Sequence, residues 1–224
     1  MMIMGHRGAA ALEPENTLLS IGRAIDIGVD AVEIDVRLSK DRSLVVIHDA
    51  TLDRTTNGTG PVSSCELNEI KELDAGKGET IPTLQEVFDL IDSRVTLVIE
   101  LKEAETERLV VELIEKNKFE ENVYLISFWH ELVKAAKNIN DRIRTGVLLV
   151  GCPVDPCVAT RASADALVMR YNFVNRQFVQ MAHKEGLKVF VWNIDEEHLL
   201  PTYADMGVDG IGSNDPRVLV DYFR

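Results

Sequence analysis

Ionisable residues stand in this chain where a buried strand would ordinarily carry aliphatic ones. His6 and Arg7 lie in Gly5-His6-Arg7-Gly8, Glu33 and Asp35 in Val32-Glu33-Ile34-Asp35-Val36-Arg37, His48 in Val46-Ile47-His48-Asp49, and Glu100 and Lys102 in Ile99-Glu100-Leu101-Lys102. A strand flanked by helical patterns is covered on both faces and reads as a run of Val, Ile and Leu. Charged groups there incur a desolvation cost unless a partner compensates them. The partner that suits this set is a metal ion with an anionic substrate.

Strand side chains alternate between faces. Val32, Ile34, Val36 and Leu38 therefore share one face, and Glu33, Asp35 and Arg37 the other. Likewise Leu97, Ile99 and Leu101 oppose Glu100 and Lys102. With the charged faces inward, Glu33, Asp35 and Glu100 converge as candidate metal ligands. An all-oxygen set suits a hard cation, Mg²⁺ or Ca²⁺, which takes roughly six to eight oxygens and leaves room for substrate and water. The plain alternative is a set of structural salt bridges to Arg7, Arg37 and Lys102. Buried ion pairs stabilise unreliably, so stability alone is a poor reason for so many.

His6 and His48 adjoin this cluster, whereas His130, His183 and His198 fall on predicted helices. Two histidines in one pocket suggest an acid and a base, because imidazole titrates near neutrality and positioned proton transfer contributes on the order of 10² to 10⁴ in rate. The competing reading makes them metal ligands or packed core residues. Arg7 and Lys102 would neutralise an anionic oxygen, Arg7 bidentately and Lys102 as a point charge, which implies a phosphodiester. Alternatively they only balance the carboxylates. Phe128, after Ser127, and Trp192 stand at strand ends, where each either lines an apolar wall of the pocket or packs in the core.

The elements that must position these residues alternate along the chain. Strands are expected near 3–6, 31–37, 95–101, 123–127, 144–149, 165–170, 187–192 and 208–212, and helices near 16–28, 83–92, 105–118, 130–138, 155–162, 175–185, 195–206 and 216–223. Eight such units make an α/β chain of the TIM-type (β/α)8 barrel class. A ninth apolar run, Leu44 to Ile47, follows the second strand after only Ser39-Lys40-Asp41-Arg42-Ser43. A parallel crossover needs a dozen or more residues, so this run is expected to be a hairpin strand inserted after the second strand. A turn centred on Asp41-Arg42 would set His48 opposite Asp35 on one face. Residues 49–81, with Asn57-Gly58 and Thr59-Gly60-Pro61, read as an excursion over one barrel end.

At 224 residues the chain is expected to form one domain, 1–224, burying roughly 70–75% of its unfolded surface. Its 46% hydrophobic and 27% charged residues are ordinary for a soluble protein. No window approaches the roughly 18 apolar residues of a membrane span, so no stable membrane insertion is expected. The N-terminal Met1-Met2-Ile3-Met4 runs straight into the first motif, and a cytoplasmic location is expected. With 24 Lys+Arg against 37 Asp+Glu, the net charge of −13 disfavours nucleic acid and acidic membranes. Cys65, Cys152 and Cys157 form no CxxC and are odd in number, which suggests neither a disulfide framework nor a zinc site. The sequence implies no oligomeric state.

The motifs resemble the glycerophosphodiester phosphodiesterases. The matching strings are Gly5-His6-Arg7-Gly8, Pro14-Glu15-Asn16-Thr17, Glu33-Ile34-Asp35-Val36, His48-Asp49-Ala50-Thr51-Leu52-Asp53-Arg54-Thr55-Thr56-Asn57-Gly58, Ile81-Pro82-Thr83-Leu84, Ile99-Glu100-Leu101-Lys102, Ser127-Phe128, Val191-Trp192 and Gly207-Val208-Asp209-Gly210-Ile211. The resemblance implies a TIM-type barrel that uses a divalent cation to hydrolyse glycerophosphodiesters to sn-glycerol 3-phosphate and an alcohol. Glu33, Asp35 and Glu100 match the metal ligands, His6 and His48 the acid/base pair, Arg7 and Lys102 the phosphate contacts, and Trp192 the tryptophan bordering the glycerol. Two departures stand out. Where the family commonly reads Trp-Thr-Val-Asn this chain has Trp192-Asn193-Ile194-Asp195, and where Ile-Thr-Asp is usual it has Gly212-Ser213-Asn214. Neither touches a matched metal ligand, and both are expected to alter the outer pocket and the preferred alcohol.

The rival readings are a lysophospholipase D-like cleavage of lysophospholipids, which needs a greasy groove, a non-catalytic phosphate-ester-binding barrel, and an enolase-like lyase, which would not need Arg7. Barrels host many chemistries, so the fold alone does not choose.

Overall fold

The computed structural model describes residues 1–151 and 155–224. Cys152 lies outside the described residues; Cys65 and Cys157 are free thiols. Among the described residues nine strands form: β1 (Met2–His6), β2 (Ala31–Leu38), β3 (Leu44–Val46), β4 (Thr96–Leu101), β5 (Val123–Ser127), β6 (Arg144–Leu149), β7 (Ala166–Arg170), β8 (Lys188–Trp192) and β9 (Gly210–Ser213). The sheet runs β1-β9-β8-β7-β6-β5-β4-β2-β3, and β1 also pairs with β2. Eight parallel strands thus close into the expected barrel, with β3 as an antiparallel addition to β2. Helices α1 (Leu18–Ile27), α3 (Leu84–Ile91), α4 (Thr106–Asn117), α5 (His130–Ile139), α6 (Cys157–Arg161), α7 (Arg176–Lys184), α8 (Leu200–Met206) and α9 (Pro216–Phe223) follow the barrel strands, while α2 (Leu67–Lys71) lies in the excursion. None of the described helices is long and apolar enough to cross a membrane.

Strand alternation divides the apolar residues between two layers. Val32, Ile34, Val36, Leu97, Ile99 and Leu101 pack outward against the helices. Met4, Ala31, Val98, Tyr124, Ile126, Leu148, Ala166, Val168 and Phe190 fill the barrel interior. Large and small residues alternate across that interior: a Cβ on Gly210 would lie 2.9 Å from Cδ1 of Phe190. The filled lower layers leave space only at the C-terminal ends of the strands, where Glu33, Asp35 and Glu100 sit.

The hairpin differs from its expected register. Val36 pairs with Val46, Arg37 with Val45 and Leu38 with Leu44, which places Ile47 rather than His48 across from Asp35, with Ile47 N–H donating to Asp35 O at 3.0 Å. The cause is the turn. Ser39 N–H bonds Ser43 O at 3.0 Å, leaving a three-residue loop whose last residue, Arg42, takes φ +64°, a common hairpin geometry that the count from a two-residue turn misses. A one-residue slip turns every side chain to the other face. Val45 and Ile47 accordingly join a separate core with Leu52, Val62, Ile70, Ala75 and Ile81 beneath the excursion. His48 still reaches the barrel mouth because β3 ends at Val46 and the chain bends there. The excursion returns along the far edge of β3, where Val46 N–H donates to Pro82 O at 2.8 Å.

The expected helix at 195–206 begins late. Residues 197–199 form a single 3₁₀ turn and α8 starts at Leu200, with Pro201 in its first turn, where backbone N–H groups have no intrahelical partner. Asp195 is thereby released from the helix for other bonds.

Candidate active site

His6 ends β1, and the turn after it is built from left-handed backbone, φ +52° at Arg7 and +84° at Gly8. A Cβ on Gly8 would come within 2.5 Å of the Ser20 carbonyl carbon, so only glycine fits. Ser20 Oγ–H donates to Arg7 O and accepts from Ala9 N–H, both at 2.9 Å, pinning the turn to α1. The turn aims the Arg7 N–H at Glu33 Oε2, 3.0 Å away.

β1, β2 and β4 lie side by side with His6 level with Glu33 and Asp35 level with Glu100. Among the described residues Glu33, Asp35 and Glu100 form one group of three acids, each offering an oxygen, with those oxygens within 4.8 Å of one another. All three are buried, 5%, 1% and 9% exposed respectively. Burial, then the neighbouring Asp35, pushes Glu100 up to about 7. Burial, then Asp35 and Glu100, holds Glu33 well above the usual carboxylate range. At Asp35 burial is outweighed by Lys102 and Arg7, and the carboxyl lies below its usual value. Lys102 Nζ–H donates to Glu100 Oε1 at 2.6 Å and lies 3.3 Å from Asp35 Oδ1. Arg7 Nε lies 3.2 Å from Asp35 Oδ2 while its Nη1 donates to Glu15 at 2.8 Å. Three carboxylates face two cationic side chains, and the buried Asp35 Oδ1 lacks a hydrogen-bond donor. A divalent cation fits that donor set, because the buried carboxylates outnumber the cationic side chains and offer clustered oxygens, Asp35 Oδ1 among them without a hydrogen bond.

Both histidines face the same space. His6 Nε2 lies 3.8 Å from Glu33 Oε2, and its Nδ1 lies 2.8 Å from Asn214 Oδ1. Burial, then the Arg7 charge, holds the His6 imidazole below its ordinary value. His48 donates from Nδ1 to Asp49 Oδ1 at 2.6 Å, and Arg54 holds the other side of Asp49 through Nε at 2.7 Å. The cavity they share opens to solvent and spans about 550 Å³. His6, Arg7, Glu33, His48, Glu100 and Lys102 form its polar side, and Met4, Ile126, Leu148, Val168, Phe128 and Trp192 its apolar side. Asp35 lies beneath, at 1% exposure. Phe128 and Trp192 meet edge to face, with centroids 6.1 Å apart. Arg37, which shares a strand face with Asp35, instead bonds Glu103 and the His48 carbonyl at the rim.

Sequence reasoning gave no role to several supporting side chains. Asn16 grips Asp35 twice, donating to Oδ2 at 2.9 Å and accepting from the Asp35 N–H at 3.2 Å. Glu15, Asp49 and Arg54 link Arg7 to His48, Arg54 donating to Glu15 through both Nη atoms at 2.8 Å. The only signal was their presence in Pro14-Glu15-Asn16-Thr17 and in the His48–Gly58 string. The two departures, expected to shape the outer pocket, place Asn193 and Gly212 in the cavity lining and also bear on His6: Asn193 Nδ2 lies 2.9 Å from its Nδ1, beside the Asn214 contact.

Residues 6–218 match the sequence profile of the Glycerophosphoryl diester phosphodiesterase family. The chain is 38% identical over 237 aligned residues to a glycerophosphodiester phosphodiesterase of Caldanaerobacter subterraneus, covering 100% of this chain and 98% of that protein. It superposes with a TM-score of 0.94 and 30% identity on an Oleispira antarctica phosphodiesterase solved in complex with the product sn-glycerol-3-phosphate, over 99% of this chain and 96% of that one. A glycerophosphodiester phosphodiesterase from Agrobacterium tumefaciens gives 0.89 at 30% identity, over 99% of both chains. With the barrel, the motif order and these relatives in agreement, the chain belongs to the glycerophosphoryl diester phosphodiesterase family.

Proposed function

We propose that residues 1–224 act as one catalytic unit that hydrolyses water-soluble glycerophosphodiesters to sn-glycerol 3-phosphate and an alcohol, with Mg²⁺ or Ca²⁺ held by Glu33, Asp35 and Glu100. One observation carries the reading: three buried carboxylates lie within 4.8 Å of one another, and two of them, Glu33 and Glu100, line a cavity with two histidines and two cationic side chains. The Oleispira antarctica relative, solved with sn-glycerol-3-phosphate, supports the same product.

When bound, the cation supplies charge that polarises the phosphoryl group. Arg7 and Lys102 bring further positive charge to its oxygens, and Phe128 and Trp192 form the wall for the glycerol or alcohol carbons. One histidine takes a proton from the attacking hydroxyl, either the substrate's own 2-hydroxyl or water, as the new P–O bond forms. The other gives a proton to the departing alcohol oxygen as the old P–O bond breaks. If the 2-hydroxyl attacks, water then opens the cyclic ester with the roles reversed. The substrate is small and soluble, and we place the enzyme in the cytoplasm.

Coupled detection of glycerol 3-phosphate from glycerophosphocholine tests this, with Mg²⁺, Ca²⁺ or EDTA. His48→Ala and Glu100→Gln are expected to abolish release in a folded protein, and EDTA to do the same in the parent chain. Near-full activity in either variant would refute the role of the residue replaced. Faster turnover of lysophosphatidylcholine would replace the reading by the lysophospholipase D-like one, and no release under any condition by a binding barrel.

A further inference from the structure

The strings in which this chain departs from the usual pattern of the family it resembles form a single hydrogen-bonded unit behind His6. Asp195 stands in the extended segment after β8, and three donors from the end of β9 converge on its carboxylate. Ser213 Oγ–H and Asn214 N–H reach Oδ1, and Asn214 Nδ2–H reaches Oδ2, each at 2.7 Å. Burial raises the Asp195 carboxyl less than these bonds lower it, so it stays ionised and acts only as an acceptor. An acceptor there leaves the Asn214 amide one orientation: Nδ2 toward Asp195 and Oδ1 toward His6 Nδ1, 2.8 Å away. An amide oxygen can only accept, so Nδ1 must carry the ring proton.

Asn193 also meets this ring nitrogen. Its Nδ2 lies 2.9 Å from the same Nδ1, where a second donor would face a proton, while its buried Oδ1 has no partner. With Nδ1 protonated toward Asn214, the Asn193 amide is expected to turn by half a revolution, which exchanges two atoms of similar size and presents its oxygen to Nδ1–H. The opposite ring nitrogen, Nε2, faces the acidic cluster.

We propose that Asp195 and Asn214 are positioning residues: Asp195 fixes the Asn214 amide, which fixes His6 as its Nδ1–H tautomer and leaves the Nε2 lone pair as the site of proton transfer. This rests on the reading of His6 as a proton-transfer residue. It also accounts for the paired departures. Relative to Trp-Thr-Val-Asn and Ile-Thr-Asp, this chain carries a carboxylate for an amide at 195 and an amide for a carboxylate at 214. The exchange is reciprocal and leaves an oxygen acceptor on His6.

Long-range ¹H–¹⁵N spectra of the neutral His6 ring in the whole protein test the tautomer without reference to activity. They are expected to show a proton on Nδ1 and none on Nε2, and Asn214→Leu is expected to populate the Nε2–H form favoured by free imidazole. Misorientation of a supporting group of this kind typically lowers turnover, so Asn214→Leu is expected to reduce kcat by roughly 10- to 100-fold with little change in KM. The double variant Asp195→Asn/Asn214→Asp is expected to recover most of that loss and the Nδ1–H signal. A parent protein with the proton on Nε2, or Asn214→Leu with parental kcat, would overturn the proposal. His6→Gln separates the two readings: parental turnover in it removes the proton-transfer role itself, whereas an inactive His6→Gln beside a fully active Asn214→Leu removes only the positioning role.

Discussion

Asp49 Oδ1 lies 2.6 Å from Nδ1 of His48, and the same carboxylate is clamped from its far side by Arg54. Bonds from Arg54, ahead of the opposing effect of burial, hold the Asp49 carboxyl far below its usual range, so the group facing His48 is a permanent anion. His6 meets a neutral amide at the equivalent atom.

Removing that anion is expected to misplace the His48 ring. Asp49→Asn should lower kcat roughly 10- to 100-fold with the fold intact, and Arg54→Ala should also raise KM because Arg54 holds Glu15 against Arg7. Steady-state hydrolysis of glycerophosphocholine checks both. Turnover within twofold of the parent in Asp49→Asn would remove Asp49 from any part in the reaction.

Cation binding is expected to depend on pH in one direction. Glu100 ionises near 7 in the folded protein against a reference of 4.5, so below that pH the cation must displace a proton. Apparent affinity should fall by up to about tenfold per pH unit below 7 for each proton released. The same shift makes the cation-free fold lose stability as pH rises from about 4.5 to about 7, since the unfolded chain ionises first. Titration calorimetry in buffers of different ionisation enthalpy measures the proton count. Proton release equal at pH 6 and pH 8.5 would contradict the assignment of Glu100 as a ligand.

Gly8→Ala is expected to be among the costlier single substitutions. The left-handed backbone, φ +84°, costs about 1–3 kcal/mol for a residue with a Cβ, and the collision with Ser20 adds to it. Urea denaturation reads the loss, which should exceed that of Gly22→Ala, where a Cβ meets nothing within 4 Å.

Phe128→Ala should spare the fold, because the ring is already 43% exposed. Losing the part of the apolar wall that Phe128 offers to substrate carbons is expected to raise KM roughly two- to tenfold, about 0.5–1.5 kcal/mol of binding. An unchanged KM for every diester tried would place Phe128 outside the substrate's reach.

The barrel was legible because its strands obey period two on both faces, so Val32-Glu33-Ile34-Asp35 already states which side chains meet helices and which meet the cavity. The hairpin register was not, since a left-handed Arg42 adds one loop residue without any glycine to announce it. The start of α8 was legible in principle from Pro201, whose place in a first turn leaves Asp195 outside the helix. What composition and spacing could not supply was the pairing of Asp195 with Asn214, nineteen positions apart, because polar residues in loops declare their partners only once the strands before them are in register.

The separate core beneath the excursion sets the two histidines on unequal footings. His6 rides on a central barrel strand, whereas His48 is carried by a patch of seven buried apolar residues that can open without unravelling the rest, since small satellite cores exchange at lower free energy than the whole. Warming should silence this enzyme several degrees before its far-ultraviolet dichroism collapses, with amide deuteration over residues 47–82 rising first. Thermal inactivation would then be a recoverable loosening rather than a melt.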